Sequence, residues 1–369
     1  MRRQKRRLTL ESSVGPVEIA TDYGQQSGGG DWICPQREAW GIGPHQKMTP
    51  SLQDRLCFTA TLTGSYESAA QVAGKWGCAI DDSKLHALVQ RVGAKAREQV
   101  QQRIKTPALE RQPQQKPSDL GVLLLDGWQV RHRGPGWGFK KTRQSRVEWH
   151  EMKMGVYYQI EQALVKENGR GQLARKVVAS TLGDAVELGE QLHWEATRAG
   201  LARARNLEML ADGAAWIWNL KEDRWKRAVE VLDFFHASEH VWGLGRSIQG
   251  EEQAKEWAEP LLHQLRHGKE KRALKAIAGL PKLPGERGEA VRREQNYFAS
   301  QEHRMKYQQI ARRGWPIGSG AVESACRQRQ CRFKRPGQFW TPSGLRNLCA
   351  LEEARHNNHW DALWETPKP

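Results

Sequence analysis

Three apolar segments of this chain each run directly into an acidic residue, and this pattern limits the fold more than any other feature. The segments are "GVLLLDG", "LEMLADG" and "VEVLDFFH", and their acidic residues are Asp126, Asp212 and Asp233. The four apolar residues 122–125 are typical of a strand buried on both faces. The carboxylate that follows either caps the strand in water or is held there to do chemistry. Helical sequence lies between the segments, for example over residues 184–202. Strands that alternate with helices predict an α/β sheet, whose ligand sites gather near the strand ends.

The charge balance favours a polyanionic partner. The chain has 369 residues, enough for two or three domains, and carries a formal net charge of +16 with a pI of about 9.7. A charge excess of this size favours nucleic acid as the partner, although a basic protein without a specific polyanion would have the same composition. No apolar run approaches the roughly 20 residues of a membrane span. The basic start "MRRQKRR" has no hydrophobic stretch after it, so we expect no secretory signal and no membrane partner.

The six cysteines indicate neither a disulfide framework nor a zinc site. They form no C-x-x-C pair, and we expect reduced thiols of a cytosolic protein. In "WICPQREAW", Arg37 stands where a zinc site that includes Cys34 would need its second cysteine. A structural zinc ion is therefore not expected.

The region after Met48 has the outline of a helical DNA-binding domain. Thr49 before Pro50 is typical of a helix start, and a second helical segment ends at Gly77. A third begins at Asp81 or Asp82. Two short helices joined by a glycine-containing turn are the outline of a helix-turn-helix, although many helix pairs with this outline do not touch DNA.

Shifts in composition divide the chain into six parts. Residues 106–119 are rich in Pro and Gln, as is typical of an exposed linker, whereas residues 251–311 are charged and helical throughout. The predicted parts are a basic, Gly-rich segment in which a few short strands are possible (1–47), the helical domain (48–105), the linker (106–119), the first part of the α/β domain (120–250), a helical insertion (251–311) and the second part of the α/β domain (312–369).

Three carboxylates are the candidates for chemistry: Asp126, Asp212 and Glu323 in "GSGAVESACRQ". Two of them follow predicted strands and the third opens a predicted helix, so they converge if the strands are neighbours. Clustered carboxylates repel each other and raise each other's pKa, and hard cations such as Mg²⁺ relieve this conflict. Asp-Gly pairs also mark ordinary turns, which is the alternative explanation for Asp126 and Asp212.

The chain resembles bacterial insertion-sequence transposases of the DDE class, close to the ISKra type and related to the Mutator-like group. The matching pieces are "LLLDG", "LADGAAWIW", "VLDFFHASEHVW", "GWPIGSGAVESACRQRQCRFK" and "GQFW", in that order, from about residue 48 onwards. The resemblance implies an RNase H-like mixed sheet with a helical insertion. It also implies that Asp126, Asp212 and Glu323 hold two Mg²⁺ ions, for which Mn²⁺ can substitute.

The same resemblance implies a function and its partners. We expect a transposase that binds the terminal inverted repeats of an insertion sequence, cleaves DNA and joins the ends to target DNA. It would act as a homodimer or higher assembly in the bacterial cytoplasm, associated with the nucleoid. Two alternatives stay open: an RNase H-like metal-dependent nuclease without strand transfer, and an inactive relic that only binds DNA.

Residues near the three carboxylates are further candidates. The family has an Asp-x-x-His element after the second aspartate, here Asp233 and His236, and His240 follows one helical turn later. The family element favours a place for His236 beside the site, and a hydrogen-bonded core histidine beside Asp233 is the alternative. After Glu323 come five basic residues, which form either a solvated face or one that contacts DNA phosphates. They are Arg327, Arg329, Arg332, Lys334 and Arg335.

Overall fold

The structure is a computed structural model that describes residues 2–25, 27–43, 45–109, 117–138, 147–165, 167 and 171–365. The chain divides into two compact units. The first comprises Met1–Gln102, Arg131–Glu148 and Cys331–Pro369, and the second comprises Arg103–Val130 and Trp149–Gln330. Residues 110–116 of the predicted linker lie outside the described residues.

The N-terminal part of the first unit is a hairpin followed by helices. Its elements are β1 (Arg2–Ser12), β2 (Gly15–Gln25), α1 (Pro35–Ala39), α2 (Pro50–Leu62), α3 (Tyr66–Lys75) and α4 (Asp82–Ile104). The segment 1–47 thus contains two antiparallel strands of 11 residues each, longer than the short strands expected there. The side chain of Thr49 caps α2 and that of Ser65 caps α3, as polar N-cap residues commonly do.

The helices expected between residues 48 and 105 are present, but α4 is not short. It has 23 residues, about 35 Å of helix, and Gly77 lies in a left-handed turn before it. The assignment of these helices as a helix-turn-helix stays a prediction.

The second unit is built on a five-stranded mixed sheet, which confirms the predicted α/β class and is consistent with an RNase H-like fold. The elements of this part are β3 (Leu120–Arg133), β4 (Val147–Gln159), β5 (Ala163–Val165), β6 (Gly171–Leu173), β7 (Val177–Thr181), α5 (Ala185–Arg198), β8 (Asn206–Ala211), α6 (Ala215–Arg224) and β9 (Val229–Leu232). The strand order is β7-β4-β3-β8-β9, with β3, β8 and β9 parallel and β4 antiparallel to β7.

One face of this sheet packs on α5 and α6. Side chains alternate along a strand, so Leu207, Met209 and Ala211 of β8 all point into the same apolar cluster, where Leu192 of α5 and Ile217 of α6 meet them. The same cluster contains Leu125 of β3 and Ala211 of β8, the last residues at which these two strands pair.

Helices follow the last strand of the sheet. They are α7 (Phe234–Gln249), α8 (Ala254–Arg266), α9 (Glu270–Ala278), α10 (Gly285–Gln301), α11 (Tyr307–Arg312), α12 (Gly320–Phe333) and α13 (Pro342–His356). Four of them, α8 to α11, occupy the region expected to be a helical insertion.

The C-terminal helix α13 belongs to the first unit, which differs from the predicted assignment of residues 312–369 to the α/β domain. Asn347 of α13 donates hydrogen bonds from its amide to the backbone and side-chain oxygens of Gln90 in α4, at 3.1 and 2.9 Å. A Cβ atom at Gly93 would lie 2.4 Å from the Asn347 carbonyl oxygen, so only glycine allows the two helices to come this close. Charge and hydropathy along the sequence carry no sign of this long-range contact.

No helix in the part of the chain that the structure describes is long and apolar enough to span a membrane. None of the six cysteines, all of which lie in the described residues, forms a disulfide bond.

Candidate active site

Three aspartates lie in register at the carboxyl edge of the sheet. Leu125 of β3 pairs with Ala211 of β8, which in turn pairs with Leu232 of β9. The residues that directly follow these three are Asp126, Asp212 and Asp233. Because the three strands are parallel, their carboxyl ends share one edge, and the aspartates share it with them.

The strand that carries Asp126 does not end there, which corrects the expectation from the sequence. β3 continues to Arg133, and Trp128 and Val130 are buried while Gln129 between them is exposed. This alternation is that of extended backbone, and it continues the strand beyond the position where the apolar run ends. What ends before Asp126 is the pairing of β3 with β8.

The carboxyl group of Asp126 lies among other acidic groups. Its pKa is raised, first by burial and then by the negative charges of Asp212 and Glu323. Hydrogen bonds from the thiol of Cys326 and from the Gly127 amide, the latter at 2.7 Å, partly offset this increase. The three carboxylates singled out in the sequence are therefore close enough to interact electrostatically.

The Asp212–Gly213 pair is both a turn and part of the site. Asp212 Oδ1 accepts a hydrogen bond from the Ala214 amide at 3.0 Å, which starts α6. Gly213 has a φ of +96°, and a Cβ atom there would lie 2.8 Å from a ring carbon of Tyr297. Burial raises the pKa of Tyr297, and the charges of Asp212, Glu294 and Asp233 raise it further. Tyr297 therefore packs against Gly213, next to Asp212.

Asp233 is buried and holds the segment that carries Glu323. One of its carboxylate oxygens accepts from the His236 amide at 2.6 Å and caps α7, and the other accepts from the amide of Ser319. The hydroxyl of Ser319 donates to Glu323 Oε1 at 2.5 Å. Asp233 is thus a positioning residue, because both of its oxygens are used by backbone amides.

Two histidines and a glutamate form a chain beside these carboxylates. His240 Nδ1 lies 2.5 Å from Glu294 Oε2, and His240 Nε2 lies 3.2 Å from His236 Nε2. The ring of Tyr297 stacks on that of His240, with centroids 3.9 Å apart and planes 18° apart. The contact between His240 Nδ1 and a carboxylate oxygen favours the His240 tautomer that carries its proton on Nδ1.

Sequence reasoning missed Glu294 and Tyr297. Both lie on α10, in the region expected to be an insertion, and Glu294 is 54 positions away from its partner His240. Their spacing of three residues places them on one helix face, and nothing in that spacing points to α7.

The carboxylates fit a hard cation by their chemistry. Asp126, Asp212 and Glu323 offer only oxygen donors, which Mg²⁺ prefers, and in each of them one oxygen accepts a hydrogen bond from the protein. Among the described residues, however, no three His, Cys, Asp or Glu side chains are arranged so that they could hold a metal ion. The structure thus brings the donors to one edge without assembling them into a ligand set.

The five basic residues after Glu323 do not form one exposed face. Arg327 and Arg335 are exposed and Lys334 is half-buried, but Arg329 and Arg332 are only 4% and 7% exposed. The Arg332 guanidinium donates to the Gly64 carbonyl at 2.8 Å and lies over the rings of Tyr66 and Trp340 in the first unit. Burial lowers the pKa of Arg332. Arg332 therefore works as a packing residue in this structure.

No protein-family model and no curated protein matches the chain. Among solved structures, the chain is similar to the Drosophila P element transposase strand transfer complex, with 11% sequence identity and a TM-score of 0.27 over 85% of this chain and 79% of that chain. A similarity of this size does not assign a function, which is argued from the site instead.

Proposed function

We propose that this protein is a DNA transposase of an insertion sequence, which cleaves and joins DNA with the help of divalent cations. The observation that supports this most is the register of the sheet, which places Asp126 and Asp212 one residue beyond a paired position on neighbouring parallel strands. Glu323 completes the set, since its charge acts on Asp126. Carboxylates grouped in this way repel each other, and bound cations relieve the repulsion.

In this proposal, Asp126, Asp212 and Glu323 hold two Mg²⁺ ions, for which Mn²⁺ can substitute. When bound, such ions activate a water or a 3′-hydroxyl and stabilise the leaving oxygen of a phosphodiester. The protein's own groups orient the ligands: the Asp233 carboxylate holds the Ser319 amide, and the Ser319 hydroxyl holds Glu323. Glu294 holds His240 at Nδ1, and His240 Nε2 in turn lies 3.2 Å from His236 Nε2.

The partner in this proposal is double-stranded DNA, as terminal inverted repeats and as target. The net charge of +16 supports a polyanionic partner. Arg327, Lys334 and Arg335 are the basic residues after Glu323 that retain exposed surface for phosphates. We further propose that α3 and α4 form the DNA-binding helix pair. Two DNA ends must be brought together before joining, so we also propose a homodimer or larger assembly on DNA.

The test is cleavage of a DNA fragment that carries the gene's own flanking sequences, in Mg²⁺ and in Mn²⁺. Wild type, Asp126→Asn and Asp119→Asn would be compared. Asp119 is an exposed residue just before β3, so its variant controls for the chemical change alone. We expect cuts at the flanks by wild type and Asp119→Asn but not by Asp126→Asn.

The products separate the proposal from its alternatives. Cut ends that become joined to a second DNA indicate a transposase, whereas cutting without joining indicates a nuclease of the same fold. DNA binding without any cutting by wild type would favour an inactive relic. Equal cutting by wild type and Asp126→Asn would remove Asp126 from the site.

A further inference from the structure

A cleft lies at the opposite end of the sheet's strands from the three carboxylates. It is open to solvent and lies between the end of β4, the start of β7 and the end of α5. Tyr157, which lines it, packs on Gly121, where a Cβ atom would lie 2.9 Å from Tyr157 Cε2. Gly121 precedes Asp126 by five residues on β3, which is roughly 17 Å along an extended strand. The cleft is therefore separate from the carboxylate site.

The lining of this cleft is strongly basic. Of the described residues that line it, four are basic and one, Glu195, is acidic. Glu195 already interacts with Arg103. Burial lowers the pKa of Arg103, and the charge of Glu195 partly offsets this decrease. The basic lining residues are Arg175, Lys176, Arg198 and Arg203. The described lining thus contains more basic than acidic side chains.

Lys176 is the clearest case of uncompensated charge. It is half-buried, and it forms no ion pair with any residue in the described part of the second unit. Burial lowers its pKa, and the neighbouring charge of Arg329 lowers it further. A half-buried ammonium group next to a guanidinium is costly unless an anion neutralises it. Lys176 and Arg175 precede β7, so they do not serve to neutralise the end of a helix.

The neutral groups around these cations suit an oxyanion. Gln159, Gln162 and Tyr158, whose side chains carry amide and hydroxyl groups, line the same cleft. Gly200 lies two residues after the end of α5 with a φ of +95°, and the Gln159 amide occupies the space that a side chain at Gly200 would fill. Arg198 stacks on Trp194, and its Nε has no hydrogen-bond partner among the described residues.

We propose that this cleft binds a phosphate group between Arg175, Lys176 and Arg198. Guanidinium and ammonium groups with amide donors are the usual partners of phosphate oxygens. The phosphate can be that of a DNA backbone held away from the carboxylate site, or that of a small free phosphate compound. The proposal does not depend on the function proposed above, since it concerns binding alone.

The test measures phosphate binding by the full chain with titration calorimetry, using inorganic phosphate and pyrophosphate as probes. A second arm measures the binding of a short DNA duplex by fluorescence anisotropy over a range of salt concentrations. Wild type would be compared with the double variant Arg175→Gln/Lys176→Gln and with Lys176→Arg, which keeps the charge. Arg205→Gln is the control, because Arg205 is exposed and does not line the cleft.

We expect the double variant to bind pyrophosphate or the duplex at least about tenfold more weakly than wild type. Lys176→Arg and Arg205→Gln should bind these probes as wild type does. Loss of pyrophosphate binding identifies a small phosphate ligand. Loss confined to the duplex, with a lower salt slope, identifies a backbone phosphate. Thermal melting without ligand shows whether the variants are folded. If the folded double variant binds both probes as wild type does, or if wild type binds neither, the proposal is wrong.

Discussion

Glu208 makes the folding stability of this protein depend on pH. It lies in the centre of β8, paired with Val122 and Val229, and it is 0% exposed. Neither carboxylate oxygen has a hydrogen-bond partner among the described residues, and burial raises its pKa from 4.5 to about 9. The folded protein therefore holds a proton on Glu208 at neutral pH, whereas the unfolded chain releases it.

The sign and size of the effect follow from linkage. The stabilising contribution of protonated Glu208 is fully present below pH 4.5 and is lost as the pH rises towards 9, at about 1.4 kcal/mol per pH unit. At pH 7 this amounts to about 3 kcal/mol of unfolding free energy. Glu208→Gln keeps the shape and removes the titration, so the variant should be the more stable protein by about this amount at pH 7, with a larger gain at pH 8.

The assay is urea unfolding of wild type and Glu208→Gln at several pH values between 5 and 8, followed by tryptophan fluorescence. Glu289→Gln, at an exposed position of α10, controls for the loss of a carboxylate as such. The difference in unfolding free energy between Glu208→Gln and wild type should grow steadily with pH. Parallel stability curves would show that Glu208 is ionised in the folded protein and would refute the reasoning.

Three further substitutions test the carboxylate site. Glu294→Gln weakens the hydrogen bond that fixes His240, so DNA cleavage should slow by about five- to tenfold. Imidazole nitrogen NMR should show His240 losing its single tautomer, and an unchanged spectrum would contradict this. Gly213→Ala places a side chain at positive φ against Tyr297 and should cost about 1–3 kcal/mol in urea unfolding, whereas Gly243→Ala, with open space around it, should cost nothing. Asp233→Asn replaces one accepting oxygen with an NH₂ group that faces a backbone N–H, so the melting temperature should fall by an amount equivalent to about 1–3 kcal/mol. A melting temperature equal to that of wild type would show that Asp233 does not anchor Ser319.

The sheet and its carboxyl edge could be predicted from the sequence because both leave a local signal. A run such as residues 122–125 is apolar since both faces of the strand are covered, and the acidic residue after it marks the level where pairing ends. Asp126 and Asp212 were singled out in this way, whereas Glu323 was singled out at the start of a predicted helix. The electrostatic interaction between these carboxylates could not be predicted from the sequence, because it depends on which strands are neighbours.

The remaining features depend on contacts between distant parts of the chain. Glu294 meets His240 across two helices, and α13 meets α4 through Gly93, and neither contact leaves a pattern in the local sequence. The burial of Arg329 and Arg332 was missed for a related reason. A run of charges normally indicates a solvated face, and only the packed structure shows Arg332 lying over aromatic rings.

The central claim is that Asp126, Asp212 and Glu323 together hold divalent cations, and Mn²⁺ binding tests it most directly. Binding would be measured by titration calorimetry and by electron paramagnetic resonance for wild type, Asp126→Asn, Asp212→Asn, Glu323→Gln and the control Asp119→Asn. We predict that each of the three site variants binds Mn²⁺ at least about tenfold more weakly than wild type, while the control binds as wild type does. Equal Mn²⁺ binding by all five proteins would contradict the claim.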